Sequence, residues 1–525
     1  MNTQINRCLI GTTISLAIAL LLIVLPMPPV TYALGSGVDI QVSTTADESD
    51  VSGNGAGCSL REAIHTSNIG SNFGGCIRIF NFTSNDTIIL PSGNYALTRT
   101  GSGEDLDITG DLDILKSVII SGTGAPTPIV SGGASWDDRI IDIVTGTVTF
   151  KQVIITGGHA PNFGGGIFNR IGTVVMLDDS FVSNSDAVYQ GGGIYNAGTM
   201  TLNRSSVTTS STGGSSFSFG GGILNTGILT LSNSSITWNH SFGPRAYGGG
   251  IYNAGGTMNI GVVVLDNSTF IGNISDNDCG GISNNGISLQ INGSLFSGNT
   301  AVGNGGGICY PNGITSSSIS GNEAGANGGG IYNTTATALF TNVTLNGNSA
   351  SSNGGGIYAT SGTAILTNVT LSGNHANTFG GGIFSGGLTT LTNVTIYGNT
   401  AAGDGGIDID SGTATLTNTI VANNTGGDCG GLVGGSFNLS SDNNCGFGVR
   451  GNINVMLAPL GNYGGPTQTH MLLPGSPAID FGTNTGCPST DQRGKPRPVN
   501  VICDVGAVER QLFDYPFLYL PLIER

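Results

Sequence analysis

Charge is what this sequence lacks. Of its 525 residues only 9% are Asp, Glu, Lys or Arg, where a globular protein carries roughly 25%. Cations are scarcest, since 16 Lys and Arg against 32 Asp and Glu leave a net charge of −16. No basic stripe is available to displace counterions from a phosphate backbone, which excludes nucleic acid as a partner. Tight Cys-x-x-Cys spacing is missing, and with it a zinc site. There is no Gly-x-Ser-x-Gly, no Walker loop and no dinucleotide fingerprint between a strand and a helix, so the commonest hydrolase and nucleotide signatures are absent. No cofactor is expected from these motifs.

What is there is glycine, 90 residues of it, with apolar residues at 38% spread evenly along the chain. A disordered chain would not carry so many Val, Ile and Leu. The glycine is periodic. A Gly-Gly-Ile or Gly-Gly-Leu signature places its apolar residue at Ile167, Ile194, Ile223, Ile251, Ile282, Ile308, Ile331, Ile357, Ile383, Ile407 and Leu432, at intervals of 23 to 31 residues. A fixed signature at variable intervals means that loops vary while one strand keeps its register.

Between signatures, as in Ala364 to Leu371, apolar and polar residues roughly alternate and β-branched types dominate, without a helical period. Gly373-Asn374 and Gly354-Gly355-Gly356 supply turns that tolerate positive φ. One such coil cannot bury its apolar face, whereas a stack sets Ile on Ile at roughly 4.8 Å and pairs each strand with the coils on either side. The expected fold is all-β: a right-handed, single-stranded parallel β-helix with a short N-terminal helical cap and an irregular C-terminal cap. Asn recurs after the signature (Asn169, Asn196, Asn225, Asn253, Asn333) and in the later turn (Asn273, Asn299, Asn322, Asn348, Asn374, Asn399, Asn423), and stacked amides can ladder along the axis. Sequons such as Asn342-Val343-Thr344 follow from this composition and carry no expectation of glycosylation.

Residues 1–33 read as an export signal, with Arg7, an apolar run from Cys8 to Leu25 and Thr31-Tyr32-Ala33 as the cleavage site. Removing Cys8 leaves eight cysteines, which in an exported chain points to disulfides. They allow about a hundred connectivities. Nearest neighbours in sequence are Cys58 with Cys76, Cys279 with Cys309, Cys429 with Cys445 and Cys487 with Cys503.

Three stretches resemble known families. The Gly-Gly-Gly-Ile signature, with Phe181-Val182-Ser183-Asn184, Phe270-Ile271-Gly272-Asn273 and Phe296-Ser297-Gly298-Asn299, resembles the repeats of polymorphic outer membrane proteins over residues 150–435. The third small residue is usually Gly here instead of Ala. Cys58-Ser59-Leu60-Arg61-Glu62-Ala63-Ile64 resembles the CSLREA domain that opens many bacterial exported β-helices. It implies a short amphipathic helix over 58–68, pinned by a Cys58 to Cys76 disulfide, with Leu60, Ala63 and Ile64 on the first coil. That reading is preferred to an active site at Arg61, Glu62 and His65. Leu460 to Thr467, Pro474 to Asp480, Asp491 to Gly494 and Asp504 to Glu509 resemble the choice-of-anchor Q domain, which closes surface β-helices ahead of a sorting tail. Its Asp480, Asp491, Arg493, Asp504 and Glu509 are expected to form buried ion pairs. The domain reading is 1–33 signal peptide, 34–95 N-terminal cap and first strands, 96–445 coils, 446–510 C-terminal module and 511–525 apolar sorting tail.

Candidate chemistry is sparse. Glycoside hydrolysis needs two carboxylates roughly 5 to 10 Å apart, and Asp404, Asp408 and Asp410 form the best such cluster in the coils. With Ile407 and Ile409 inward, Asp408 and Asp410 would share an outer face about 7 Å apart, beside Ala359 and Ser385. Asp105, Asp107, Asp111 and Asp113 are the candidate calcium ligands, on an outer face of two early coils. His159, His240 and His375 fall at equivalent turns but three and five coils apart, roughly 14 and 24 Å, too far for a shared metal. The chain reads as a secreted or cell-surface protein, monomeric and non-catalytic, adhesin-like or structural in the envelope. Its expected partners are envelope components or surface glycans, with Tyr195, Tyr252, Tyr332 and Tyr358 as contact residues. Membrane contact is expected only through the signal peptide or the tail. The alternative is a polysaccharide lyase or glycoside hydrolase on acidic polysaccharide, with its site near the long insertions at 211–219 and 240–247.

Overall fold

A computed structural model describes residues 37–514 apart from 51–54, 82, 104–106, 215–216, 256–259, 336, 448–449 and 513. The expected signal peptide, most of the apolar tail and Asp105 lie outside the described residues. The chain is a parallel β-helix. Coils are built on up to four recurrent strands, exemplified by Ile194–Asn196, Thr199–Asn203, Ser206–Thr208 and Ser211–Thr212. Every one pairs in parallel with its counterpart in the next coil, as Ile194 does with Ile223, Met200 with Leu229, Val207 with Ile236 and Ser211 with His240. The signature strands stack from Leu112–Ile114 through Ile407–Thr417 to Cys429–Ser436.

Alternation decides what is inside. Ile194, Met200, Leu202 and Val207 are fully buried, and so are their equivalents in the next coil, Ile223, Leu229, Leu231 and Ile236. Like lies on like along the axis. Phe270 and Phe296, partners in register, stack at 4.6 Å between ring centroids and 8° between planes. The core is one continuous column from Val38 to Cys445.

The signature glycines do more than turn. Gly328 has φ +71°, as a tight turn requires. Gly329 and Gly330 have a different reason to lack a side chain: a Cβ on Gly329 would lie 2.4 Å from Ser349 O and 2.6 Å from Gly355 O, and one on Gly330 2.7 Å from Gly356 O. Their amides donate to Gly354 O and Gly355 O of the next coil at 3.1 and 3.0 Å. The triplet is therefore where the backbones of successive coils come closest.

Two asparagine ladders run beside the core. In one, Asn239, Asn273, Asn299, Asn322, Asn348, Asn374 and Asn399 each donate Nδ2 to the Oδ1 of the next, the last to Asn424. Asn348 Nδ2 also donates to Ile319 O, and Asn348 N donates to Asn374 Oδ1, so the buried amide is saturated. The ladder begins at Asn239, earlier than expected, and ends on Asn424 instead of Asn423, which takes the turn with φ +57°. The second ladder links Asn169, Asn196, Asn225, Asn253 and Asn284.

The N-terminal end is covered by the helix Leu60–Ile69, opened by a capping box of Ser59 and Glu62 and closed by Gly70 in the left-handed region. Leu60, Ala63 and Ile64 are buried as expected. Arg61 is consumed structurally: it pairs with Asp47 at 2.7 Å and donates to the carbonyls of Gly110 and Asp111. The C-terminal segment is irregular and packs sideways over the outer face of the last coils. Gln492 accepts from Thr370 Oγ1 at 2.6 Å and donates to Val343 O, Asn368 donates to Thr490 O, and Ala507 donates to Thr395 Oγ1. Outward apolar residues Ile420, Ala422 and Leu439 are buried under Val455, Leu472 and Val505. Within it Arg493 pairs with Asp491 at 2.8 Å and Arg497 with Glu509 at 3.6 Å, all four buried. Asp480 instead accepts from Asn500. Disulfides join Cys58 to Cys76, Cys279 to Cys309, Cys429 to Cys445 and Cys487 to Cys503. Four disulfides point to an extracellular protein, and no helix among the described residues is long and apolar enough to cross a membrane.

Ile357 sits between Ile331 and Ile383 in register. Ile357→Asp is expected to destabilise by several kcal/mol, and Asn348→Ala by roughly 1–3 kcal/mol because it orphans buried ladder partners. Urea denaturation of each variant checks both, and a neutral Ile357→Asp would contradict the stacked core.

Candidate functional site

The residue that follows each inward Ile points outward, and register turns these positions into one row. In chain order it reads Asp113, Asp142, Phe168, Tyr195, Leu224, Tyr252, Ser283, Cys309, Tyr332, Tyr358, Phe384, Asp408. Aromatic rings occupy the middle and carboxylates both ends.

At the far end, Asp408 is buried against Phe384 in register, and its partner on the other side is Gly430. The side chain of Asp404 lies against that same glycine, where a Cβ would meet Asp404 Oδ2. Burial, then the charges of Asp404 and Asp410, push the Asp408 carboxyl up to about 6. Asp410 is exposed. Ala359 and Ser385 do not flank the carboxylates as expected; they align with inward Ile409, and Phe384 is the neighbour of Asp408. The one-residue error follows from strand alternation, which sends adjacent residues to opposite faces.

At the near end, the expected calcium set splits. Asp107 Oδ2 accepts from Asn68 Nδ2 at 2.7 Å and Oδ1 from Asp113 N at 2.8 Å, so it ties the helix to the first coil. Asp111 and Asp113 instead meet Asp142 of the next coil, and one carboxylate oxygen of each lies within 4.8 Å of the others. These are buried groups and not a solvated outer face: Asp111 is 4% exposed, Asp113 0%, Asp142 2% and nearby Asp138 2%. Two guanidinium groups face them. Arg139 reaches Asp142 Oδ2 at 2.7 Å and Asp111 Oδ2 at 3.4 Å, and Arg170 holds Asp142 with Nε and Nη2, both at 2.9 Å. Burial, then the charge of Asp138, push the Asp111 carboxyl up to about 8 against the opposing pull of Arg139. Asp138 and Asp142 escaped the sequence reading because their coil precedes the first Gly-Gly-Ile signature, which leaves no marker of register.

Between the ends lie the aromatics. Tyr332, Tyr358 and Phe384 stack at 5.3 and 5.2 Å with planes within 6°. The expected contact tyrosines are half-buried, and Tyr332 is pushed up to about 12 by burial and then by Tyr310 and Tyr358. A second outward row, Phe163, Gln190, Phe219, Tyr247 and Asp278, runs alongside. Where the long insertions fall, the short strands Ser218–Phe219 and Ala246–Tyr247 pair. They gather Phe217, Phe219, Tyr247 and Tyr252, with ring centroids 4.7 to 5.9 Å apart along the cluster. Phe217 is 44% exposed, and the Arg245 guanidinium lies 4.9 Å over its ring. The histidine positions stack in register as expected, and His159 and His240 are each taken by an aspartate of the following coil, Asp186 at 2.6 Å and Asp276 at 2.8 Å.

No known protein family and no curated protein matches the chain. Among solved structures, one described as pectate lyase Pel9A aligns with a TM-score of 0.27 at 13% identity, covering 90% of this chain and 96% of that one. So loose an alignment carries no argument about activity, and the fold rests on the chain's own register.

Because Asp408 holds its proton more tightly when folded than the ordinary 3.8, its contribution to stability is full below about pH 4 and is lost as pH rises through about 6. Asp408→Asn is expected to raise the melting temperature at pH 7.5 and to flatten the pH dependence between about 4 and 6. Melting scans across that range test this, and an unchanged slope would contradict the burial of the carboxyl.

Proposed function

We propose that this chain is an exported cell-surface scaffold, adhesin-like and non-catalytic, that binds surface glycans through the aromatic cluster on its two long insertions. The observation that carries the reading is the group Phe217, Phe219, Tyr247 and Tyr252 with Arg245 above, gathered where the paired strands Ser218–Phe219 and Ala246–Tyr247 meet the signature strand Ile251–Asn253. Aromatic faces stack on sugar C–H surfaces, and an arginine adds recognition of a carboxylate or sulfate. The surrounding stack holds the rings in place, so little ordering entropy is lost on binding. Four disulfides fit residence outside the cell.

The hydrolase or lyase alternative has one feature in its favour, the raised carboxyl of Asp408 beside Asp404. Against it, the charged groups that act on Asp408 are carboxylates, Asp404 and Asp410.

A glycan array carrying neutral and acidic oligosaccharides tests the proposal. Binding is expected, and the double variant Phe217→Ala, Phe219→Ala should weaken it roughly tenfold or more. An array without any bound glycan, or release of oligosaccharide products that Asp408→Asn abolishes, would overturn it.

A further inference from the structure

The carboxylates at the near end of the outward row are placed for a task that packing does not explain. Asp111, Asp113, Asp138 and Asp142 are all buried, and burying like charges together without compensation is costly. Arg139 and Arg170 supply the positive charge that faces them. Asp142 takes most of that compensation, since both guanidinium groups bond to it. Asp111 is left with a single contact to Arg139 at 3.4 Å. Asp138, only 2% exposed, accepts from Arg139 N with Oδ1 at 2.8 Å. Its Oδ2 is buried with no hydrogen-bond partner among the described residues.

We infer that Asp111, Asp113 and Asp142, with Asp138 beside them, form a Ca²⁺ site that locks the N-terminal helix to the first coils. Ca²⁺ takes oxygen ligands at roughly 2.3–2.6 Å, so two oxygens across the ion stand about 4.8 Å apart, the span within which one oxygen of each of the three aspartates falls. The locking role follows from what the same loop holds: Arg61 of the helix donates to the carbonyls of Gly110 and Asp111, and Asn68 to Asp113 O. An ion that fixes the Asp111 to Asp113 backbone fixes the receptors of the cap. The site stands on different residues from the glycan cluster and does not depend on it.

Trp136 offers a direct readout. Its indole Nε1 donates to Arg139 O at 3.1 Å, within the loop that carries Asp138, and the chain has only 2 Trp. Tb³⁺, a luminescent stand-in for Ca²⁺, is added to the full secreted chain with excitation of tryptophan. Sensitised emission is expected, displaced by Ca²⁺ and not by equal Mg²⁺, and lost in Trp136→Phe but kept in Trp238→Phe. In parallel, Ca²⁺ is expected to raise the first melting transition by several degrees over chelator. Asp111→Asn should abolish that rise while melting in chelator no lower than the parent, because it removes a buried like charge. Absence of both emission and a Ca²⁺-dependent melting shift would overturn the site. So would an Asp111→Asn variant that melts lower in chelator and still responds fully to Ca²⁺, since Asp111 would then be only an ion-pair partner of Arg139.

Discussion

Everything in this molecule depends on one constraint: a coil of about 25 residues cannot satisfy its own backbone. In a coil such as that from Ile194 the recurrent strands are two to five residues long, and they pair with their counterparts in the neighbouring coil. The coils must therefore approach to strand spacing on every side, including the corner where no strand passes. The glycine triplet makes that corner. Gly329 and Gly330 lack side chains because carbonyls of the next coil occupy the space, and a ladder of buried asparagines takes up the polar groups nearby. Glycine abundance and scarcity of charge have the same origin, since a column buried on its inner face along its whole length has few places for a formal charge.

Stacking also converts local sequence into long-range surface features. A residue that means little in one coil becomes a row when its equivalents are aligned, which is how Tyr332, Tyr358 and Phe384 come to stack. Where an equivalent position departs from aromatic character, another device takes its place. Cys309 stands in the row between Ser283 and Tyr332 and is joined to Cys279, which occupies the first glycine position of the preceding signature. At the two ends the row turns to carboxylates, buried in both cases, one set beside arginines and the other beside further aspartates.

How much of this was legible in the sequence follows from where register was marked. From Ile167 to Ile407 the signature fixes register, so the inward Ile column and the coil spacing of His159, His240 and His375 could be read directly, whereas the cysteine pairing rested on nearness in sequence alone. Outside that span the marker is missing. Asp113 and Asp142 are neighbours in register, yet 29 positions apart with no shared motif between them, so sequence nearness groups Asp111 and Asp113 with Asp105 and Asp107 and leaves out Asp142. The choice of Asn423 over Asn424 failed for a smaller reason, as either asparagine can supply a turn and only the ladder geometry decides. The lateral seat of the C-terminal segment had a weak signal: the outward Ile420 and Leu439 are apolar where the preceding coils place Ser318, Thr344, Thr370 and Thr395.

The central claim is that residues far apart in sequence are held a fixed number of coil steps apart in space. Thr201 and Thr390 lie on the same outward row, linked through Thr230, Val264, Gln290, Gly313, Leu339 and Ile365 by seven steps of register. Spin labels on Thr201→Cys and Thr390→Cys, with the native disulfides intact, measure that separation by pulsed dipolar spectroscopy. Strand spacing predicts a single narrow distribution near about 34 Å between the backbones. A broad distribution, or a mean displaced by more than the reach of the labels, would contradict the stacked β-helix.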